Sequence, residues 1–541
     1  MRKFSKLVLA ATIAITALAG CSTGKEAEGT GTGTPSPVVS KSPEPSNLNK
    51  DGYPIVNETI ELEVMGFKSP AHGPWEEMLA FKEMEKMTNI KLKFNTPPED
   101  GYAERKNLAF ASGELPDFFF LGSLTEADQL NYGSEGLLIP LEDLIADYAP
   151  NLTQIFQQYP EIKKSITAPD GHIYALPRLQ NLTLHSRFEA RLYPNWELFQ
   201  KNNISKMPDN TEELKQMLQQ FKAAGLIPLS SANINQIRIP LLAAFGEIQN
   251  VQGIRLKDDQ VQYVPMQDGY KAYLEYMNGL FADKLLDPDI FSHTVQQYNA
   301  KLAENKVAVF TTFSPHSNLK EITPAKLIEM NYPMFPVLTS PINDKKIYYL
   351  RSSVMPGNFA ITNKNKHPEA TMRWADYWYS LEGTFLMTQG IKVDRAWLDD
   401  PNAKLEDVRK VPEGTAPINY MQKVLTPFAG ISNLNDEVQG ILNSKATVKI
   451  DEFLNNQSKE LIGPYAKEPF PMVMLTTQEA QDASIILRDL QTYVAEMEAR
   501  FITGKEPISS WASYLKTIDN MQVDKVLKIY QTAYDRWKNS K

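Results

Sequence analysis

Apolar and polar positions alternate over Ile60, Leu62 and Val64, and again over Ile90, Leu92 and Phe94, the period of a strand with one covered face. Between them Trp75, Met78, Leu79, Phe81 and Met84 recur at helical spacing, with Pro74 placed for a first helical turn. Tyr102–Ser112 reads as a second helix. Gly113 can take its left-handed C-terminal position, and Pro116 keeps it from resuming. Asp117 then opens Phe118-Phe119-Phe120-Leu121, an unbroken apolar run suited to a strand covered on both faces. Gly122 and Ser123 follow at its carboxyl end, where open α/β sheets place their ligands. The order is β-α-β-α-β, which implies right-handed crossovers and a parallel sheet.

Further along, Leu137–Tyr148 predicts a short amphipathic helix. Pro169-Asp170-Gly171-His172 predicts a turn between short strands, and Leu182–Trp196 a strand entering a new region. Thr211 starts a helix through Phe221 that Gly225 stops. Tyr270–Phe281 is helical and ring-rich; Val307–Phe313 is strand-like. Tyr348–Thr362 predicts a pair of strands around Pro356-Gly357-Asn358. Pro368–Gly390 predicts one helix whose Trp374, Tyr377, Trp378 and Tyr379 pack in a core. Leu487, Leu490, Val494, Met497 and Phe501 form the buried stripe of another helix, closed by Gly504. Val523–Trp537 is an amphipathic C-terminal helix.

The first twenty residues break these patterns. Arg2, Lys3 and Lys6 form a basic start, and Leu7 to Leu18 is an apolar run of signal-peptide length, short for a bilayer span. It ends Leu18-Ala19-Gly20-Cys21, which resembles the bacterial lipobox, whose cysteine is acylated and becomes the first mature residue. Residues 1–20 are therefore a lipoprotein signal peptide and Cys21 a lipidation site. Residues 21–50 are rich in Gly, Thr, Ser and Pro and predict a disordered tether.

Composition bounds the chemistry. A chain of 541 residues exceeds one core and predicts two or more domains. The formal net charge of −9 speaks against nucleic-acid binding. The single cysteine excludes an internal disulfide and a cysteine-based metal site, and the 6 histidines lack ligand spacing. The chain carries no nucleophile elbow, no phosphate-binding loop and no H-E-x-x-H helix. Carboxylates are plentiful, so a surface-anchored polysaccharide-degrading enzyme, a glycosidase or lyase, stands as an alternative. A ligand-presenting sensor module is another.

From about Tyr53 onward the chain resembles the family 1 extracellular solute-binding proteins, the lipid-anchored receptors of bacterial ABC importers. It looks closest to the long oligosaccharide-type lipoproteins of Gram-positive bacteria. The resemblance is carried by the lipobox, ASGELPD at 111–117, PLEDLI at 140–145, YAPNL at 148–152, PDGHIYALP at 169–177, LLDPD at 285–289, FAITNKNKHPEATMRWADYWYSLEG at 359–383 and TAYDRW at 532–537. Two departures stand out. The helix that continues through residues 214–231 has no acidic loop after it, so the calcium site of some relatives is not carried over. Arg178–Trp196 also departs from the family pattern near the hinge.

The resemblance implies a two-lobe α/β, periplasmic-binding-protein-like fold of type II, each lobe a doubly wound sheet, with hinge strands between. One lobe would take residues 51–180 and 339–390, the other 181–338 and 391–541. The lobes would close on a carbohydrate, an oligosaccharide, and deliver it to ABC permease subunits. It implies a monomer on the outer face of the cell membrane, with no catalytic residue, metal or cofactor. Position at strand ends nominates Trp75 and Phe313 for stacking on sugar, with a core place under the first helix the other reading of Trp75, and Lys68, Ser123, Asp128, Arg178 and Asn358 for its hydroxyls.

Overall fold

The computed structural model describes residues 47–540 other than 180–183, 320, 414, 416, 428–431 and 434. The signal peptide 1–20, Cys21, residues 21–46 of the tether and residues 182–183 lie outside the described residues. Strands run in chain order as β1 (Ile60–Met65), β2 (Ile90–Asn95), β3 (Phe118–Phe120), β4 (Leu176–Leu179), β5 (Arg191–Pro194), β6 (Ile227–Ser230), β7 (Ile254–Lys257), β8 (Gln260–Tyr263), β9 (Val307–Thr312), β10 (Tyr348–Tyr349), β11 (Val354–Ile361) and β12 (Ala466–Lys467).

The first sheet has the order β2-β1-β3-β11-β4. β1 is parallel to β2 and β3, while β11 is antiparallel to both its neighbours. The Asp117 carboxylate accepts from the Glu63 amide at 2.7 Å and ties the start of β3 to β1. Phe118, Phe119 and Phe120 are each 0% exposed, because both faces of β3 are covered. Phe118 and Phe120 meet Trp374, and Phe119 stacks on Phe110 from the helix Tyr102–Ser112. The second sheet, β5-β9-β6, pairs β6 parallel and β5 antiparallel to β9. Its core unites Leu229, Tyr273, Leu490 and Phe501, so the helices Asp268–Ala282 and Thr477–Thr503 belong beside it. The latter runs 27 residues from a Thr476 capping box to Gly504 at φ 72°, the left-handed stop the sequence predicts.

Four elements differ from the sequence reading. Tyr348–Thr362 is no strand pair: β11 runs through Pro356-Gly357-Asn358 with a bulge between Met355 and Phe359, and Tyr348–Tyr349 pairs with β12. Gly357 has φ 72°, and a Cβ there would lie 1.9 Å from the Leu124 carbonyl oxygen. The glycine is required by that close approach, which lets Gly122 and Leu124 donate to the Asn358 and Gly357 carbonyls at 3.0 and 2.9 Å. Pro368–Gly390 is two helices, Pro368–Tyr377 and Leu381–Gln389, broken where Ser380 caps the second. The helix expected over 137–148 covers only Glu142–Tyr148, since the Ile139 amide donates to Ile361 as an edge residue. The first helix starts at Leu79, after a tight turn over Trp75–Glu77.

Phe385, Ile391, Val393, Leu405, Val438 and Leu442 form a small core of their own on the helix Leu381–Gln389. Among the described residues no helix is long and apolar enough to cross a membrane.

Candidate functional site

The carboxyl ends of β1, β3 and β4 share an edge with the start of the antiparallel β11. In the second sheet the carboxyl ends of β6 and β9 share an edge with the start of β5. The chain crosses between the sheets from Leu179 to Arg191 and returns from Tyr349 to Val354. The parallel pairing of β10 with β12 braces the return segment against the stretch that leads into the C-terminal helices.

A cavity of about 290 Å³ opens beside this crossing. Its walls carry Glu126 from the helix after β3, Arg351 from the crossing, Met355 from β11, and Glu468, Phe470 and Tyr530 from the C-terminal part. A second cavity of about 260 Å³ carries Glu189, Asn235, Arg238 and Gln249. The two share Asn250, Val251 and Tyr349, so they adjoin and are taken together as a groove. Amide and carboxylate side chains lie there beside the half-buried ring of Tyr349, while Phe470 and Tyr530 are buried behind them. Such a surface offers planar hydrogen-bonding groups to hydroxyls and flat apolar faces to the C–H side of a sugar ring.

Most carboxylates of the groove face a guanidinium. Glu468 pairs with Arg187, Glu247 with Arg255, and Glu189 accepts from Arg351 at 3.4 Å. Burial nevertheless holds Glu247 up at about 7, and Glu468 above the usual carboxylate range. Glu126 has no cation partner among the described residues, and burial pushes its carboxyl up to about 7. Arg178 has no ion pair there either; burial, then the charge of Arg351, lowers it to about 10.

The seven residues nominated from the sequence divide by position. Phe313 stands at the carboxyl end of β9 with 42% of its surface exposed, and its ring meets His185 at 4.7 Å. Arg178 is half-buried at the end of β4, opposite Met355. Ser123 is exposed, and Lys68 is half-buried in the loop after β1. The other three serve the fold. Trp75 is 0% exposed and lies among Phe81, Phe94 and Phe120. The stacking role nominated for it is corrected: those rings cover it, so no sugar reaches it. Asp128 caps its helix and binds Lys106. Asn358 is 7% exposed and donates to Met355 in the bulge at 3.0 Å. Glu126, Arg351, Asn235 and Tyr349 carry no sequence signal, because three separate segments bring them together.

This fold, with a groove beside the crossing between its two sheets, defines a solute receptor, and the chain belongs to the bacterial extracellular solute-binding proteins, whose family model matches residues 69–384. Within it, the chain is similar to the fructooligosaccharide ABC transporter substrate-binding protein FusA of Streptococcus pneumoniae. The two are 28% identical over 491 residues, 86% of this chain and 88% of FusA. The solved structure of FusA in complex with kestose matches at a TM-score of 0.72 and 27% identity, covering 89% of this chain and all of that one. The polygalacturonan/rhamnogalacturonan-binding protein YtcQ of Bacillus subtilis is 25% identical over 242 residues, 43% of this chain and 46% of YtcQ. FusA is a substrate-binding protein by name, and YtcQ a polysaccharide-binding one.

Proposed function

We propose that this protein captures an oligosaccharide between two lobes and hands it to the permease of an ABC importer. The observation that carries the reading is the pair of adjoining cavities beside the crossing between the sheets, walled by Tyr349 and planar polar groups, in a chain similar to FusA over most of both lengths. The lobes are taken as 51–180 with 339–390 and 181–338 with 391–541. Phe313, Arg178, Ser123 and Lys68 stand at or just beyond strand ends, outside the residues that line the two cavities, and are proposed as further contacts to a long ligand. Lobe closure by hinge bending sequesters the sugar. The Cys21 lipid anchor and the 21–50 tether would hold a monomeric receptor on the outer face of the membrane of a Gram-positive bacterium, in reach of the permease. No catalytic step is assigned: the groove's paired carboxylates act as acceptors and charge partners.

The test is calorimetric titration of the pure protein with a panel of defined oligosaccharides, followed by mass spectrometry of the recovered sugar. Saturable binding with the sugar recovered intact supports the receptor; shortened or unsaturated products overturn it in favour of a glycosidase or lyase. Cys21→Ala tests the anchor: loss of the processed, membrane-bound form is expected, and its persistence refutes lipidation at that sulfur.

A further inference from the structure

We propose that the oligosaccharide carries an anionic group, such as the carboxylate of a uronic acid, seated against Arg178 and Arg351 beside Met355. The inference rests on reading the groove as an oligosaccharide site. Strand register places Arg178 directly opposite Met355, so both side chains leave the same face of the sheet. Met355 is 41% exposed and shares the groove wall with Arg351. Arg351 therefore lines the groove, and Arg178 lies beside the Met355 that lines it.

The charges there do not balance. Arg187 is taken by Glu468. Arg351 has only a 3.4 Å contact with Glu189, whose side chain is 42% exposed. Arg178 forms no hydrogen bond or ion pair with any described residue, though it is shielded from much of the water. A shielded guanidinium without a counter-charge is costly, and a ligand anion removes that cost. Burial and the charge of Arg351 already depress Arg178 to about 10, the sign of like charges held near each other. Two planar forks also match the paired oxygens of a carboxylate or sulfate better than a single hydroxyl. Glu126 lines the same cavity, but its carboxyl is held up at about 7 and carries only part of a charge at neutral pH.

The experiment titrates the full chain with an oligogalacturonate, its fully methyl-esterified counterpart, a sulfated oligosaccharide and kestose. The methyl ester keeps the shape and removes the charge. Binding of a charged sugar at least about tenfold tighter than its uncharged counterpart is expected. That preference should shrink with added salt and in Arg178→Gln and Arg351→Gln. The oligogalacturonate and sulfated arms tell a carboxylate from a sulfate ester. Equal binding of acid and ester, or binding of kestose alone, overturns the anionic ligand while leaving the receptor reading in place. Binding of none of the sugars overturns both. Arg178→Lys keeps the charge and guards against a folding defect; it should retain more of the preference than Arg178→Gln, and an identical loss in both counts against the proposal.

Discussion

The guanidinium of Arg191 sits 4.9 Å from the centre of the Phe313 ring, and its Nη2 donates to the Phe313 carbonyl at 2.7 Å. Arg191 is 0% exposed and pairs with no carboxylate among the described residues. Its Nη1 instead donates to His185 Nδ1 at 2.6 Å and Ser458 Oγ at 3.1 Å. His185 must offer a lone pair at Nδ1, and burial, reinforced by Arg191, holds its pKa well below the usual value. A buried cation thus fixes one side of a ring whose other side is open at the end of β9.

This arrangement predicts separate losses in two variants. Phe313→Ala should weaken oligosaccharide binding about tenfold, or about 1.4 kcal/mol, with little change in the denaturant midpoint. Arg191→Ala should cost about 2–5 kcal/mol of stability, because it leaves a cavity and strands the partners of the guanidinium. Calorimetry paired with urea melts checks both. Wild-type affinity in Phe313→Ala would remove the ring from the site.

Trp75 should behave in the opposite way. Its ring stacks on Phe81 at 5.5 Å and meets Phe94 and Phe120 edge-on at 6.1 and 6.0 Å. Trp75→Ala is expected to cost roughly 3–5 kcal/mol of stability while the folded fraction binds sugar normally. Lost affinity with an unchanged melt would show that the ring reaches the ligand.

Lys301 bears on metal dependence. Its Nζ donates to both oxygens of Asp287 and to Asp289, each at 2.9 Å, and Asp287 is 0% exposed. The ammonium holds the place a cation would take between these acids. Extensive chelation should leave ligand affinity unchanged, whereas Lys301→Ala should cost up to about 3 kcal/mol by leaving Asp287 uncompensated. A tenfold loss of affinity on chelation, about 1.4 kcal/mol, would contradict this.

The sequence made β1, β2 and β3 legible because alternation and apolar runs are local, and Gly113 and Pro116 mark their boundary. It also placed Arg178 and Phe313 at strand ends. The sequence leaves Trp75 between cleft and core because its burial depends on Phe94 in β2 and Phe120 in β3. Pro356-Gly357-Asn358 looked like a turn because the need for its glycine lies at Leu124, far away in the chain. The groove was illegible for the same reason: Glu126, Arg351, Phe470 and Tyr530 meet only after folding.

Glu126 gives the groove a dependence on pH. It is half-buried, and burial raises its carboxyl to about 7, partly offset by a backbone hydrogen bond with Leu475. In the unfolded chain it titrates near about 4.3. Between those values the folded state keeps a proton that the unfolded state releases, so this group's contribution to stability falls as pH rises towards about 7 and is level above. Glu126→Gln stays neutral throughout. It should match the wild type below pH ~4 and exceed it near pH ~8, giving a flatter melting profile. The other charged groups on this wall are Arg351 and Glu468, the latter held by Arg187, and Tyr530 faces Glu126 from the C-terminal helix. Ionised Glu126 also repels an anion in the groove. Affinity for an acidic sugar should therefore fall as pH rises through about 7 in the wild type, with a smaller fall in Glu126→Gln, while a neutral sugar shows none. Melting curves and titrations at matched pH values check both effects, and parallel profiles for the two proteins would show that this carboxyl does not titrate in that range.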